Sequence, residues 1–99
     1  MLYITQLIYI KEDQEKIDQF ESIAIPTIAK YNGRLLFRVR PDPKSFIETV
    51  IEQPYEIHLV EFDAETDFTN FMHDEERKRF LHLKEQSIKT VWLIKGTKL

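Results

Sequence analysis

The stretch Tyr55-Glu56-Ile57-His58-Leu59-Val60-Glu61-Phe62 decides how this chain folds. Aromatic, β-branched and long aliphatic residues dominate it, so it reads as a strand. Successive side chains of a strand point to opposite faces, so Glu56 and His58 share one face while Ile57 and Leu59 share the other. A titratable ring in mid-strand among apolar neighbours is costly unless it is paired. The segment is therefore both a core element and the place to look for chemistry.

Working outward, residues 41–54 before it are an irregular stretch opened by Pro41-Asp42-Pro43, with a short helix expected near 44–51. Residues 34–40 alternate as a further strand, with Leu35, Phe37 and Val39 expected on one face and Arg34, Arg38 and Arg40 beside Leu36 on the other. Residues 14–31 carry Ile17, Phe20, Ile23, Ala24, Thr27, Ile28 and Tyr31 at steps of three and four, an apolar helical stripe. Asp13 suits its N-cap, Pro26 predicts a kink or break, and Asn32-Gly33 predicts the stop. The first strand is Leu2–Ile10. After the deciding stretch, residues 66–87 are helical with a break near His73-Asp74, and 89–95 form the last strand, closed by Gly96.

The order is βαββαβ in one domain, residues 1–99. Two right-handed βαβ crossovers give an α+β, ferredoxin-like antiparallel sheet with helices on one face. The other sheet face also carries apolar residues, more than one helical layer can cover. Packing against a second copy of the chain would bury them, giving a homodimer through the sheet face.

Composition narrows the function classes. The chain holds 14 basic and 17 acidic residues, a formal charge of −3, which argues against a nucleic-acid partner. RNA-recognition modules share this strand order, and Leu2–Leu7 looks like their first-strand motif. They stack bases on aromatics of the third strand, where this chain has Ile57 and Leu59. No cysteine is present, so disulfides, cysteine-ligated metals and thiol nucleophiles are excluded. No phosphate loop or nucleotide fingerprint is found, so no cofactor is expected. No membrane span or targeting segment is recognised, so a cytoplasmic location is the default expectation.

Two further stretches, with the deciding one, carry a family resemblance. Ile25-Pro26-Thr27-Ile28-Ala29-Lys30-Tyr31-Asn32-Gly33-Arg34-Leu35-Leu36, the deciding stretch itself, and Trp92-Leu93-Ile94-Lys95-Gly96 together resemble the DUF1330 family over nearly the whole chain. Asp74-Glu75-Glu76-Arg77 stands where that family carries a Ser-Pro-Glu-Tyr-like break, and Pro41 stands where many relatives carry glycine. The resemblance implies a homodimeric α/β barrel with facing sheets and a small pocket in each subunit between sheet and helices. The wider group includes cofactor-independent monooxygenases and muconolactone isomerase-like proteins. It thus implies a small-molecule-binding protein with a monooxygenase- or isomerase-like activity, or a non-catalytic dimeric module.

Each candidate residue has two readings. His58 is a proton acceptor oriented by Glu56, or a structural histidine bonded to a neighbouring strand or subunit. Arg38 and Arg40 bind an anionic substrate, or pair with Glu56 or Glu61. His82, between Leu81 and Leu83, reaches the sheet or the interface, whereas His73 is a surface or capping residue. Trp92 and Tyr3 hold a flat substrate, or pack the core. His73 and His82 are half a turn out of phase and no His-x-x-x-His spacing exists, so no metal is expected.

Overall fold

The computed structural model describes all 99 residues. The strands are β1 (Leu2–Ile10), β2 (Gly33–Val39), β3 (Glu56–Phe62) and β4 (Ile88–Gly96). The helices are α1 (Gln14–Thr27), α2 (Glu65–Met72), α3 (Glu75–Arg79) and α4 (Leu81–Ser87). The sheet order is β2-β3-β1-β4 with every neighbouring pair antiparallel. This is the ferredoxin-like arrangement, with the helices on one face. No helix is long and apolar enough to cross a membrane.

Local chemistry explains the boundaries. Asp13 accepts the backbone N–H of Lys16 and starts α1. Pro26 lies in the last turn of α1, and the chain tightens to a 3₁₀ turn over Ile28–Tyr31 instead of continuing. Asn32 then takes the left-handed conformation, φ 56°, and turns the chain into β2. Gly33 follows because there is no room for anything else. A Cβ there would lie 2.6 Å from Ile28 Cγ2 and 2.7 Å from the Phe62 ring.

Two details differ from the sequence reading. The irregular stretch holds only a 3₁₀ turn at Pro43–Ser45, not a helix over 44–51. The second helical region breaks twice, at His73-Asp74 and again at Phe80. Asp74 caps α3 by accepting the Arg77 N–H at 2.8 Å, and it also accepts the Tyr31 hydroxyl at 2.6 Å.

The larger correction concerns β2. Its register on β3 slips between Leu35 and Phe37, so one extra residue, Leu36, is inserted. Leu35 faces Val60 and packs into the core, whereas Phe37 and Val39 stand opposite Leu59 and Ile57 on the open face. One inserted residue reverses the alternation, so the three apolar side chains do not share a face. It also separates Arg34, which pairs with Glu61 and Asp63, from Arg38, which is aimed to the helix side opposite His58.

The core has two parts. Ile4, Ile28, Val60, Phe62, Phe68 and Phe71 form one cluster, and Ile17, Phe20 and Ala24 of α1 form the other. The open sheet face is different: Phe37 is 44% exposed, Trp92 53% and Ile94 49%. Burying a side chain of this size is worth roughly 1.5–3 kcal/mol, which an uncovered face forgoes.

Candidate functional site

The helix-facing side of β3 presents Glu56, His58, Val60 and Phe62, all buried. The last two are core. The first two meet a carboxylate from α1, Glu21, which is only 5% exposed. Glu21 sits in the apolar stripe, one turn after Ile17 and beside Phe20, so the helix that buries its stripe also buries this acid.

His58 Nε2 lies 2.5 Å from Glu56 Oε2 and 3.0 Å from Glu21 Oε2. A ring nitrogen carries one hydrogen, and the nearer Glu56 oxygen takes it. Glu56 Oε1 also accepts Arg38 Nε at 3.1 Å and Arg40 Nε at 2.8 Å. Arg40 reaches on to Asp18, and Arg38 Nε lies 3.4 Å from Glu21 Oε2. The cluster thus unites Asp18, Glu21 and Glu56 with Arg38, Arg40 and His58, three carboxylates facing three basic groups. Both Glu21 oxygens are buried without a hydrogen-bond partner.

The titration of the cluster follows from this geometry. Burial opposes a charged His58, but Glu21 and Glu56 beside it outweigh burial and lift its pKa from 6.5 to about 9. The ring is an imidazolium at neutral pH. Burial also opposes a charged Glu56, yet the bonds from His58 and Arg40 hold its carboxyl well below the usual carboxylate range. For Glu21, burial wins and pushes the pKa up, with the Glu56 charge adding to the shift against the opposing pull of His58. Two acids side by side are thereby driven in opposite directions, the pattern of an acid–base pair.

The sequence-predicted residues divide accordingly. His58, Glu56, Arg38 and Arg40 come together. His82 does not: the break at Phe80 resets the helical phase and leaves His82 exposed, its ring tilted 6.3 Å from Phe80. Trp92 does not either, because it pairs with Leu7 on the open face of the sheet, away from His58. Tyr3 is on the same open side, in register with Glu61. His73 is exposed, its Nδ1 donating to the Thr69 carbonyl. Glu21 and Asp18 were missed. The signal for Glu21 was a carboxylate occupying a stripe position on α1.

Between the sheet and the helices lies a cavity of ≈ 170 Å³. Its walls are mainly apolar, with Ile4, Ile8, Phe20, Ala24, Val60 and Phe71 prominent, and both Glu21 and His58 open onto it. An apolar cavity of ~150 Å³ accommodates a benzene-sized molecule. Glu21, Glu56 and His58 also place three potential metal-ligand atoms within 4.8 Å of one another. A cation there would compete with the guanidinium groups on Glu56 and with the proton on His58, so the donors fit an ion network better than a metal site.

No family model matches the chain, and no curated protein matches it either. Solved structures do match. A protein of unknown function from Rhodopseudomonas palustris is 12% identical with a TM-score of 0.83, the match covering 99% of this chain and 82% of that one. A dabb family protein with a ferredoxin-like fold from Mesorhizobium loti is 12% identical, TM-score 0.69, over 99% and 96% of the two chains. A dimeric ferredoxin-like protein of unknown function from Jannaschia is 12% identical, TM-score 0.72, over 98% of each. At such identities the likeness establishes the fold alone.

Proposed function

From the fold shared with these ferredoxin-like proteins, we propose that this chain is a dimeric small-molecule-binding protein of the DUF1330 type, and that its cavity carries out proton transfer on a small organic substrate. The observation that carries the reading is Glu21: a buried carboxyl with raised pKa and unpaired oxygens, beside an imidazolium and open to an apolar cavity. A buried carboxyl with its pKa raised in this way is suited to proton transfer.

The roles differ from the simplest expectation. His58 is already protonated, so it is the acid or the electrostatic stabiliser of a developing oxyanion. Glu21 is the base that removes a proton from a bound substrate. Glu56 positions His58, and Arg38 and Arg40 hold Glu56 ionised. This chemistry is isomerase-like, and removal of a proton from an oxidisable substrate is also the first step expected of a cofactor-independent oxygenase. The dimer forms through the open sheet face, where Phe37, Val39, Trp92 and Ile94 are exposed. The Jannaschia neighbour, itself described as dimeric, supports a dimer.

The test is deuterium wash-in. The wild-type protein, incubated in D₂O with a panel of small enolisable carbonyl compounds, is expected to exchange a substrate C–H that Glu21→Gln leaves intact. A second reading, a non-catalytic dimeric binding or interaction module, is favoured by the mutual pairing of Asp18, Arg40, Arg38 and Glu56, which ties β2 to α1. Absence of exchange by a folded, dimeric wild type across the panel would favour that module.

A further inference from the structure

The cavity has a second polar wall. Arg77 of α3 and Lys84 of α4 both line it, alongside Phe20 and Phe71. Arg77 is only 6% exposed, and its Nε is buried without a partner. Its Nη1 makes one long bond, 3.4 Å, to the Met72 carbonyl. The guanidinium stacks over the rings of Phe71 and Phe20, at 5.3 and 5.8 Å. No carboxylate pairs with it. Glu75 and Glu76, which precede it in sequence, are exposed, and the buried Asp74 is used by the Arg77 backbone N–H and the Tyr31 hydroxyl. Glu56 is bonded to Arg38, Arg40 and His58, and Glu21 lies beside His58 and Arg38 rather than Arg77.

Lys84 deepens the anomaly. Burial depresses its pKa and the Arg77 charge depresses it further, with the neighbouring Glu85 only partly opposing. Burial likewise depresses that of Arg77, with Asp74 only partly opposing. Buried basic groups are normally paired, because an uncompensated buried charge costs several kcal/mol. Two cations sharing one largely desolvated wall, neither in an ion pair with a carboxylate, is an arrangement that an incoming anion would stabilise. Aromatic faces compensate only part of that cost.

We propose that the α3–α4 wall is an anion subsite, in which Arg77, with Lys84 beside it, takes the carboxylate of a small organic acid whose apolar body fills the cavity. This rests on the cavity being a ligand site, as the proposed function holds, and adds the substrate class. The planar guanidinium fits a carboxylate with two parallel hydrogen bonds. A volume of ≈ 170 Å³ suits an acid of benzoate or hexanoate size. The substrate is then held by its carboxylate at Arg77 and by its reactive part near Glu21 and His58.

Calorimetric titration tests this with hexanoate and benzoate against hexanamide and benzamide. The wild-type protein is expected to bind the acids at least about tenfold more tightly than the amides, the worth of a charge-assisted hydrogen bond. Arg77→Met retains the packing on Phe20 and Phe71 and is expected to bind acid and amide alike. Lys84→Gln, at a less buried position, is expected to narrow the preference and covers the case of an unfolded Arg77 variant. Acids and amides binding equally to the wild type would overturn the subsite while leaving the cavity reading intact. No binding of any of the four would overturn both. Inorganic phosphate binding more tightly than hexanoate would overturn the assignment to a carboxylic acid.

Discussion

His58 Nε2 stands 2.5 Å from Glu56 Oε2, although the two residues are neighbours on one face of a single strand. Strand neighbours at this spacing have backbones ~7 Å apart, so both side chains lean toward each other. Arg38 and Arg40 on one side and Glu21 on the other hold them there. Much of the chemistry of the protein follows from this contact.

The His58 ring should titrate near pH 9 rather than 6.5. Its folded-state pKa is raised, so the stability it contributes is fully present below pH 6.5 and is lost as pH rises through about 9. The shift corresponds to on the order of 3 kcal/mol. Glu21, also raised, acts in the same direction. Glu56 is lowered, so its contribution is present above pH 4.5 and lost as pH falls. Imidazole proton shifts followed by NMR against pH check the first value, and urea unfolding at several pH values checks the linkage. A His58 pKa at or below 6.5 would contradict the cluster geometry.

Glu56→Gln removes the anion that His58, Arg38 and Arg40 share. Breaking a buried pair from one side costs ~3–5 kcal/mol, because the partners are left uncompensated. Urea denaturation should show that loss, and the His58 titration should move toward lower pH.

Gly33→Ala should destabilise the fold by ~1–3 kcal/mol, the usual cost of overpacking. The added methyl meets Ile28 Cγ2 at 2.6 Å and the Phe62 ring at 2.7 and 2.8 Å, none of them the free end of a flexible side chain. Thermal unfolding measures it. An unchanged midpoint would mean that the β2 start is looser than its packing indicates.

Phe37→Lys or Trp92→Lys should convert a dimer to monomers, seen as a halved mass in light scattering. Both residues are exposed on the open face, so neither change disturbs the core of one chain. A dimer of unchanged mass would place the interface elsewhere.

Much of the fold was legible because local signals agreed with tertiary needs. The β-branched and aromatic run of β1, the alternation of β3, the stripe on α1, the Asp13 cap and the Asn32 turn all point to the observed elements. The bulge at Leu36 was not legible. The run Arg34–Arg40 alternates equally well in either register, and only pairing with β3 shows where the extra residue goes. The site was half legible. His58 and Glu56 could be linked because they share a strand face, and Arg38 and Arg40 because they share another. Glu21 could not be joined to them by spacing, since it lies on a different element and stands among apolar residues. His82 misled because Leu81 and Leu83 flank it, while the phase of its helix is set by the break at Phe80.

The proton-transfer role of Glu21 and His58 requires that the cavity beside them be a binding site rather than a packing void. Native mass spectrometry of the protein, as isolated and after incubation with hexanoate and benzoate, addresses this directly. Ala24 lines the cavity, so Ala24→Phe supplies a filled control. The expected result is a small-molecule mass on the wild-type protomer that is released on denaturation and absent from Ala24→Phe. A wild-type protomer at its bare sequence mass in every sample would contradict it.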